Sequence, residues 1–251
     1  MMYTLKKFLG QHFLHDENVC KKIVQALPVL PGMQLLEVGP GAGALTKYLL
    51  ELPGVDLRLI EVDKEKVDFL RQHYPALDGR IMHEDFLESA APFEGHFLVI
   101  GNFPYNISSQ ILFHILEWKD QVDCVVGMFQ KEMARRIAAP HGNKEYGILS
   151  VLVQAFYQVE YLFDVAESCF QPPPKVKSGV IRLRRQGNPY GITDERRFYT
   201  LVKRSFQQRR KMLRNPLKHL FDEKILEEPV FNKRAEQLSV PEFVELSKRM
   251  L

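Results

Sequence analysis

The sequence predicts an α/β protein, a doubly wound and largely parallel sheet followed by a smaller domain that is all helix. Three observations carry this reading. Across residues 34–166, short apolar runs of strand length alternate with segments of helical period. The first of these runs leads through a glycine turn, "LLEVGPGAGALT", into a helix start. From Thr193 to Leu251 the pattern turns helical and charged.

The elements follow in order. Strands are expected at "QLLEV" (34–38), "DLRLIEV" (56–62), "RIMHE" (80–84), "HFLVI" (96–100) and "VDCVVGMF" (122–129). Between them "AGALTKYLLEL" reads as a helix with Leu45, Tyr48, Leu49 and Leu52 on one face. "SSQILFHILEW" reads as another, opened by serine N-cap candidates, and "KEMARRIA" as a third, stopped by Pro140. "ILSVLVQAFYQVEYLFDV" and "SGVIRLRR" read as late strands with no helix between them, a hairpin-like antiparallel edge. The polar stretch "RRQGNPYG" marks the boundary between a catalytic domain, 1–186, and a helical domain, 187–251.

Composition narrows the class. With 45% hydrophobic and 26% charged residues, the chain has the balance of a soluble globular protein. No apolar run approaches a membrane span. The opening "MMYTLKKFLGQHFLHDEN" breaks its apolar residues with Gln, His, Asp and Glu, which argues against a secretory signal. Cys20, Cys124 and Cys169 lie far apart, which argues for a reducing, cytoplasmic setting and against a disulfide or zinc scaffold. The histidines form no ligand-spaced set with carboxylates, and no metal is expected. Charge is segregated beneath a net of only +3. Residues 168–221 carry fourteen Lys or Arg against two acids, whereas the rest of the chain has 20 basic and 29 acidic residues. Such a one-signed block reads as a polyanion-binding face, with a solvated helical face as the plainer alternative.

The glycine turn and its neighbours point to a ligand. Gly39, Gly41 and Gly43 let the backbone turn sharply and approach a bound group. Taken alone they say only that an adenosine-containing cofactor binds a Rossmann-like sheet, which a nucleotide-dependent oxidoreductase would also satisfy. Glu61 ends the second strand, where a carboxylate can take ribose hydroxyls; an ordinary surface acid fits the local sequence equally. Glu37 suits the turn amides or a cofactor amine. Asp85, after the third strand, suits an adenine amine, and Phe86 its ring. Together they occupy successive strand ends, where open α/β sheets bind ligands.

"GNFPYNIS" (101–108) closes the fourth strand on that same edge. An adenine amine is a poor nucleophile because its lone pair is spread into the ring. Two acceptors, the Asn102 side-chain oxygen and the Phe103 carbonyl, would draw it toward tetrahedral geometry and localise that pair. Pro104 stiffens the turn and Tyr105 offers a face for the base. With S-adenosylmethionine as methyl donor, the chemistry needs alignment more than an acid or a base.

"NFPY" resembles the Asn-x-Pro-Tyr motif of amino-group methyltransferases. Six blocks, "KKFLGQHFL", "LEVGPGAGALT", "NFPYNIS", "MFQKEMARR", "FQPPPKVKSGV" and "FQQRRKMLRN", are similar, in order from Lys6 to Asn215, to those of the ribosomal RNA adenine dimethylases. The resemblance implies a Rossmann-like class I S-adenosylmethionine-dependent methyltransferase sheet. The implied substrate is a pair of adjacent adenosines in a hairpin loop near the 3′ end of small-subunit 16S rRNA, each dimethylated, in a pre-30S particle, by a monomer.

It also implies site residues. Gln11, His12 and Leu14 match a segment that folds over the cofactor, with His12 where the family usually has Asn. Gly39, Gly41, Glu61, Asp85 and Asn102 fall at cofactor-binding positions. Phe103 stands in place of a common Leu. Phe170 matches an aromatic set on the opposite side of the target base from Tyr105. Arg182, Arg184 and Arg185, with Arg209, Arg210, Lys211 and Arg214, are then expected to hold RNA phosphates, joined by Lys131, Arg135 and Arg136. Other readings remain: a 23S rRNA adenine N6-methyltransferase, a DNA adenine methyltransferase, and a non-catalytic RNA-binding assembly factor on the same fold.

Overall fold

The computed structural model describes residues 12–251. They form two compact units, one running to Ala134 and resuming over 160–185, the other made of 135–159 and 186–251. The second unit therefore takes in 135–159, a stretch that the sequence reading grouped with the catalytic domain.

In chain order the elements up to Arg185 are β1 (Phe13–Leu14), α1 (Glu17–Gln25), β2 (Gln34–Val38), α2 (Thr46–Leu49), β3 (Asp56–Ile60), α3 (Lys64–His73), β4 (Ile81–Met82), β5 (Phe97–Asn102), α4 (Ser108–Glu117), β6 (Val122–Gln130), α5 (Lys131–Ala138), α6 (Ile148–Gln154), β7 (Tyr157–Val165), β8 (Phe170–Gln171) and β9 (Ser178–Arg185). Seven strands make one sheet in the order β4-β3-β2-β5-β6-β9-β7. The five from β4 to β6 are parallel, and β9 runs antiparallel to β6. β1 and β8 form a separate antiparallel pair.

Alternation along the strands fills both faces. On one face Leu35, Leu59, Ile100, Val126 and Met128 pack with Cys20 and Ile23 of α1 and Val67 and Leu70 of α3. On the other, Phe97 meets Trp118 at the end of α4 with ring centroids 6.0 Å apart, and α4 buries Ile111, Leu112, Ile115 and Leu116. α1 and α3 are capped by Asp16 and Asp63, whose carboxylates accept the amides of Val19 and Glu65 at 3.0 Å.

Three expectations need correction. The run 148–165 is strand only from Tyr157; Ile148–Gln154 is the helix α6. Val151, Leu152 and Val153 are buried in succession, which erases the periodicity that separates a core helix from a strand. The Gly147 amide donates to Ser150 Oγ (2.9 Å), which itself donates to the Arg136 carbonyl (2.5 Å), and these bonds start the helix. The serines of "SSQ" do not cap α4. Ile107 holds the cap position, and Ser108 donates its hydroxyl to the Pro104 carbonyl at 2.8 Å. The helix expected over 42–52 shrinks to four residues because Gly43, at φ +84°, holds the chain in the left-handed region until just before it begins.

In the second unit α7 (Glu195–Gln207) packs on α6 and on the last helix, and two short helices, α8 (Arg214–Leu217) and α9 (Glu223–Leu226), precede α10 (Val240–Lys248). α7 buries Phe198, Leu201 and Val202, and the Phe206 ring lies near that of Phe243 at 6.0 Å. α10 begins with a capping box: Ser239 donates its amide to Glu242 at 2.8 Å. Among the described residues no helix is long and apolar enough to cross a membrane.

The junction between β2 and α2 buries a carboxyl. Glu37, 1% exposed, accepts the Thr46 hydroxyl at 2.6 Å. Burial pushes its pKa up to about 8; the Thr46 bond opposes this and the nearby Glu61 carboxylate adds to it. An acid with a raised folded pKa binds its proton more tightly folded than unfolded. Its contribution is therefore full below the ordinary value of 4.5 and is lost as pH rises through about 8. The difference in ligand-free unfolding free energy between wild type and Glu37→Gln is expected to shift against wild type between these two pH values and to level off outside them. Denaturant titrations across pH check this, and parallel curves would contradict it.

Candidate functional site

The parallel pairing of β4, β3, β2 and β5 brings four carboxyl ends to one sheet edge. The chain order reverses there, since β3 lies on one side of β2 and β5 on the other, and this opens a crevice above β2. It is a cavity of about 620 Å³, lined by the glycine turn, Glu61, the 84–87 segment, 102–107 and the 12–14 segment. That volume is within the range of cofactor pockets.

The turn is built for close approach at two glycines and for packing at the third. A Cβ on Gly39 would meet nothing within 4 Å, and one on Gly41 only Lys66 Nζ at 4.0 Å. A Cβ on Gly43 would instead strike the Tyr74 ring at 2.7 Å. Glu61 underpins the turn. Its carboxylate accepts the Gly41 amide at 3.1 Å and, through the other oxygen, the Asp63 amide at 3.0 Å. Each oxygen keeps a lone pair for a further donor. A hydroxyl-rich, adenosine-sized group thus fits the residues present: open backbone at two glycines, an anchored carboxylate, and room.

Asp85 follows β4, exposed at the cavity, and accepts the Leu87 amide at 2.9 Å. Phe86 lines the cavity from a buried position, braced edge-on by His114 and Trp118 at 5.1 and 5.3 Å. Asn102 ends β5. Its Nδ2 donates to the His12 carbonyl over 3.5 Å, which leaves Oδ1 as the acceptor. Phe103 has its ring buried and its amide donated to the Met128 carbonyl at 3.2 Å. Pro104 accepts from Ser108 and Ile107. Tyr105 shares a 2.5 Å hydrogen bond with Ser178 Oγ, and burial raises its phenol pKa against the lowering effect of that bond. The His12 ring lies nearly parallel to Tyr105, 5.9 Å away, and its Nδ1 donates to the Pro172 carbonyl at 2.9 Å. Imidazole at this position therefore ties the 12–14 segment to the chain after β8. Leu14 is buried and also lines the cavity. Gln11 lies outside the described residues.

Phe170 departs from the reading. It is 1% exposed, packed in the core, and not among the cavity-lining residues. The register pairs Leu14 with Phe170 and Phe13 with Gln171, and alternation sends Phe170 inward while Gln171 reaches the cavity. Three arginines are likewise taken by the fold. Arg182 donates to Glu160 at 2.7 and 2.9 Å and to the Ala26 carbonyl at 3.0 Å. Arg185 donates to the Lys119 carbonyl at 3.0 Å. Arg209 donates to the carbonyls of Lys144 and Tyr146. Lys131 pairs with Asp164. Arg184, Arg210, Lys211, Arg214, Arg135 and Arg136 are exposed. Sequence reasoning missed Gln171, Lys66, Val62 and Leu87 as cavity-lining residues and Ser178 as the partner of Tyr105, 73 positions away. No local signal marks them, because only tertiary folding brings them there. Among the described residues no group of His, Cys, Asp and Glu gathers as a metal site.

The model of the ribosomal RNA adenine dimethylase family matches residues 2–250. The chain is 52% identical over 246 residues to a Parabacteroides distasonis protein named ribosomal RNA small subunit methyltransferase A, covering 96% of this chain and 92% of that one. It is also 52% identical to the Flavobacterium johnsoniae protein of the same name, covering 98% and 95%. Among solved structures, a dimethyladenosine transferase from Plasmodium falciparum superposes with a TM-score of 0.79 at 23% identity, covering 95% and 99%. The 23S rRNA methyltransferase ErmE does so with 0.71 at 25%, covering 94% and 100%. The fold is that of the Rossmann-like class I methyltransferases, and a match running almost from end to end of the sequence makes the chain a member of the ribosomal RNA adenine dimethylase family.

Proposed function

We propose that this protein dimethylates the N6 amines of two adjacent adenosines in a hairpin loop near the 3′ end of 16S rRNA, on an assembling small subunit in the cytoplasm, acting as a monomer with S-adenosylmethionine as donor. The observation that carries the reading is the tether on Asn102. Its amide nitrogen is engaged by the His12 carbonyl at the edge of the cavity, so its oxygen is the group left to accept from an amine.

When bound, S-adenosylmethionine supplies an activated methyl group on a sulfonium. Everything else falls to the chain. Glu61 and the glycine turn bind the adenosine part, and Asp85 accepts from its amine. Asn102 Oδ1 and the Phe103 carbonyl take the two hydrogens of the target N6, which localises its lone pair. Tyr105, held by Ser178, presents a fixed ring for the base to stack on. The spread of relatives named for the small subunit favours 16S over 23S rRNA; ErmE, a 23S rRNA methyltransferase of like fold, is why the two must be tested together.

Labelled donor is expected to mark small subunits that lack the modification and to leave large subunits and duplex DNA unmarked. Label entering the large subunit or DNA alone would overturn the assignment. Asn102→Ala is expected to lower kcat by roughly 10²-fold, the scale of losing one preorganised hydrogen-bond partner, while particle binding persists. Unchanged activity would overturn the amine grip assigned to Asn102.

The exposed cations divide from the engaged ones in a salt titration. Neutralising Arg210, Lys211 and Arg214 together is expected to flatten the dependence of log K on log salt by about 0.7–0.9 for each phosphate that is no longer neutralised. Arg182→Ala is expected instead to lower Tm and leave that slope alone. The reverse pattern would contradict the division.

A further inference from the structure

We propose that the Phe103 side chain is a positioning residue for methyl transfer, and that Gly127 is the space the fold keeps for it. The inference rests on the reading of the cavity given above and adds what holds its acceptor peptide in place.

Gly101 and Gly127 are Cα partners in the β5–β6 register, side by side in two central strands. Glycine inside a strand weakens it, and neither has the left-handed φ that would call for glycine. Space explains them. A Cβ on Gly101 would sit 2.5 Å from Phe103 Cε1, and one on Gly127 would sit 2.4 Å from Phe103 Cε2. The ring therefore straddles the glycine pair, one edge over each. It is 1% exposed and tilted against Phe129 at 5.1 Å.

The same residue is pinned a second time, through its amide to the Met128 carbonyl at 3.2 Å. The peptide between Asn102 and Pro104 is thus fixed by one main-chain bond and one wedged ring. Its carbonyl is the second acceptor of the proposed amine grip. A shift of the ring by a few tenths of an ångström would move that carbonyl against Asn102, and alignment of the reacting groups is steeply sensitive to such shifts.

The two glycines differ in what surrounds them, which makes the proposal testable. At Gly101 a Cβ also meets the Val38 carbonyl, which is backbone, at 2.7 Å; at Gly127 its three nearest atoms all belong to rings, those of Phe103 and Phe129. A smaller side chain at 103 would relieve Gly127→Ala, because Phe129 could tilt into the freed space, and would not relieve Gly101→Ala.

The experiment measures kcat on the rRNA substrate and donor affinity by calorimetric titration, at a temperature where each variant is folded. Gly127→Ala is expected to lower kcat at least tenfold with the donor Kd within threefold of wild type. Adding Phe103→Leu is expected to recover most of the loss, and to recover none of it in Gly101→Ala. Should Gly127→Ala fail to fold, Phe103→Ala, which adds no atom, is expected to show the same loss of kcat with the donor Kd kept. Normal kcat in the folded Gly127→Ala or Phe103→Ala, equal rescue of both glycine variants, or no rescue of Gly127→Ala would overturn the proposal. If Asn102→Ala is fully active, the reading of the cavity fails first; if Asn102→Ala is inactive and the Gly127 series is silent, only the positioning role fails.

Discussion

The pairing of β5 between β2 and β6 is the constraint on which the site depends. Parallel hydrogen bonding sets Glu37 beside Ile100 and Asn102 beside Met128. Side chains alternate with a period of two, so a slip of one residue would bury Asn102 and turn its neighbour outward. The register is protected because both faces of β5 are buried: Ile100 on one side, Phe97 and Val99 on the other. The cost of setting any of these against the wrong neighbours in a close-packed core is what keeps one side-chain amide at the cavity edge.

Around that strand, carboxylates act in contrasting ways. Glu61 has two amide donors, and these hold the glycine turn to the start of α3. Glu37, a strand residue with one hydroxyl partner and no solvent, is biased toward its neutral form. Keeping one of two nearby acids protonated lessens repulsion beneath the cavity while leaving the other charge where hydroxyls would arrive. The motif tyrosine is treated in a similar way, anchored at its hydroxyl by Ser178 so that its ring has one orientation.

Much of this was legible in the sequence because it is local. The strands at 34–38, 56–60 and 97–102, the glycine turn, and the acids at strand ends are set by short runs and by what glycine permits. The place of "NFPY" at the end of β5 was legible because a polar, Pro-containing turn follows a buried apolar run. What escaped was set by partners far away along the chain. Phe170 and Gln171 differ in which side of a two-residue strand they occupy, and only pairing with 13–14 decides that. Arg182, Arg185 and Arg209 look like their neighbours in a basic run, yet each finds a carbonyl more than sixty residues away. The apolar run at 148–154 hid its helix because three successive residues, Val151 to Val153, are all buried, a condition that removes the very pattern by which a helix is recognised. The Phe103 ring was invisible for the same reason: Gly127 makes room for it from the next strand.

The central claim is that Asn102 Oδ1 and the Phe103 carbonyl converge on one amine. The most direct measurement is a crystal structure with the demethylated donor product and an adenosine-containing loop RNA bound. The account expects the target N6 within about 2.7–3.2 Å of both oxygens, with the base against Tyr105. A base seated in the cavity whose amine meets neither oxygen would contradict it.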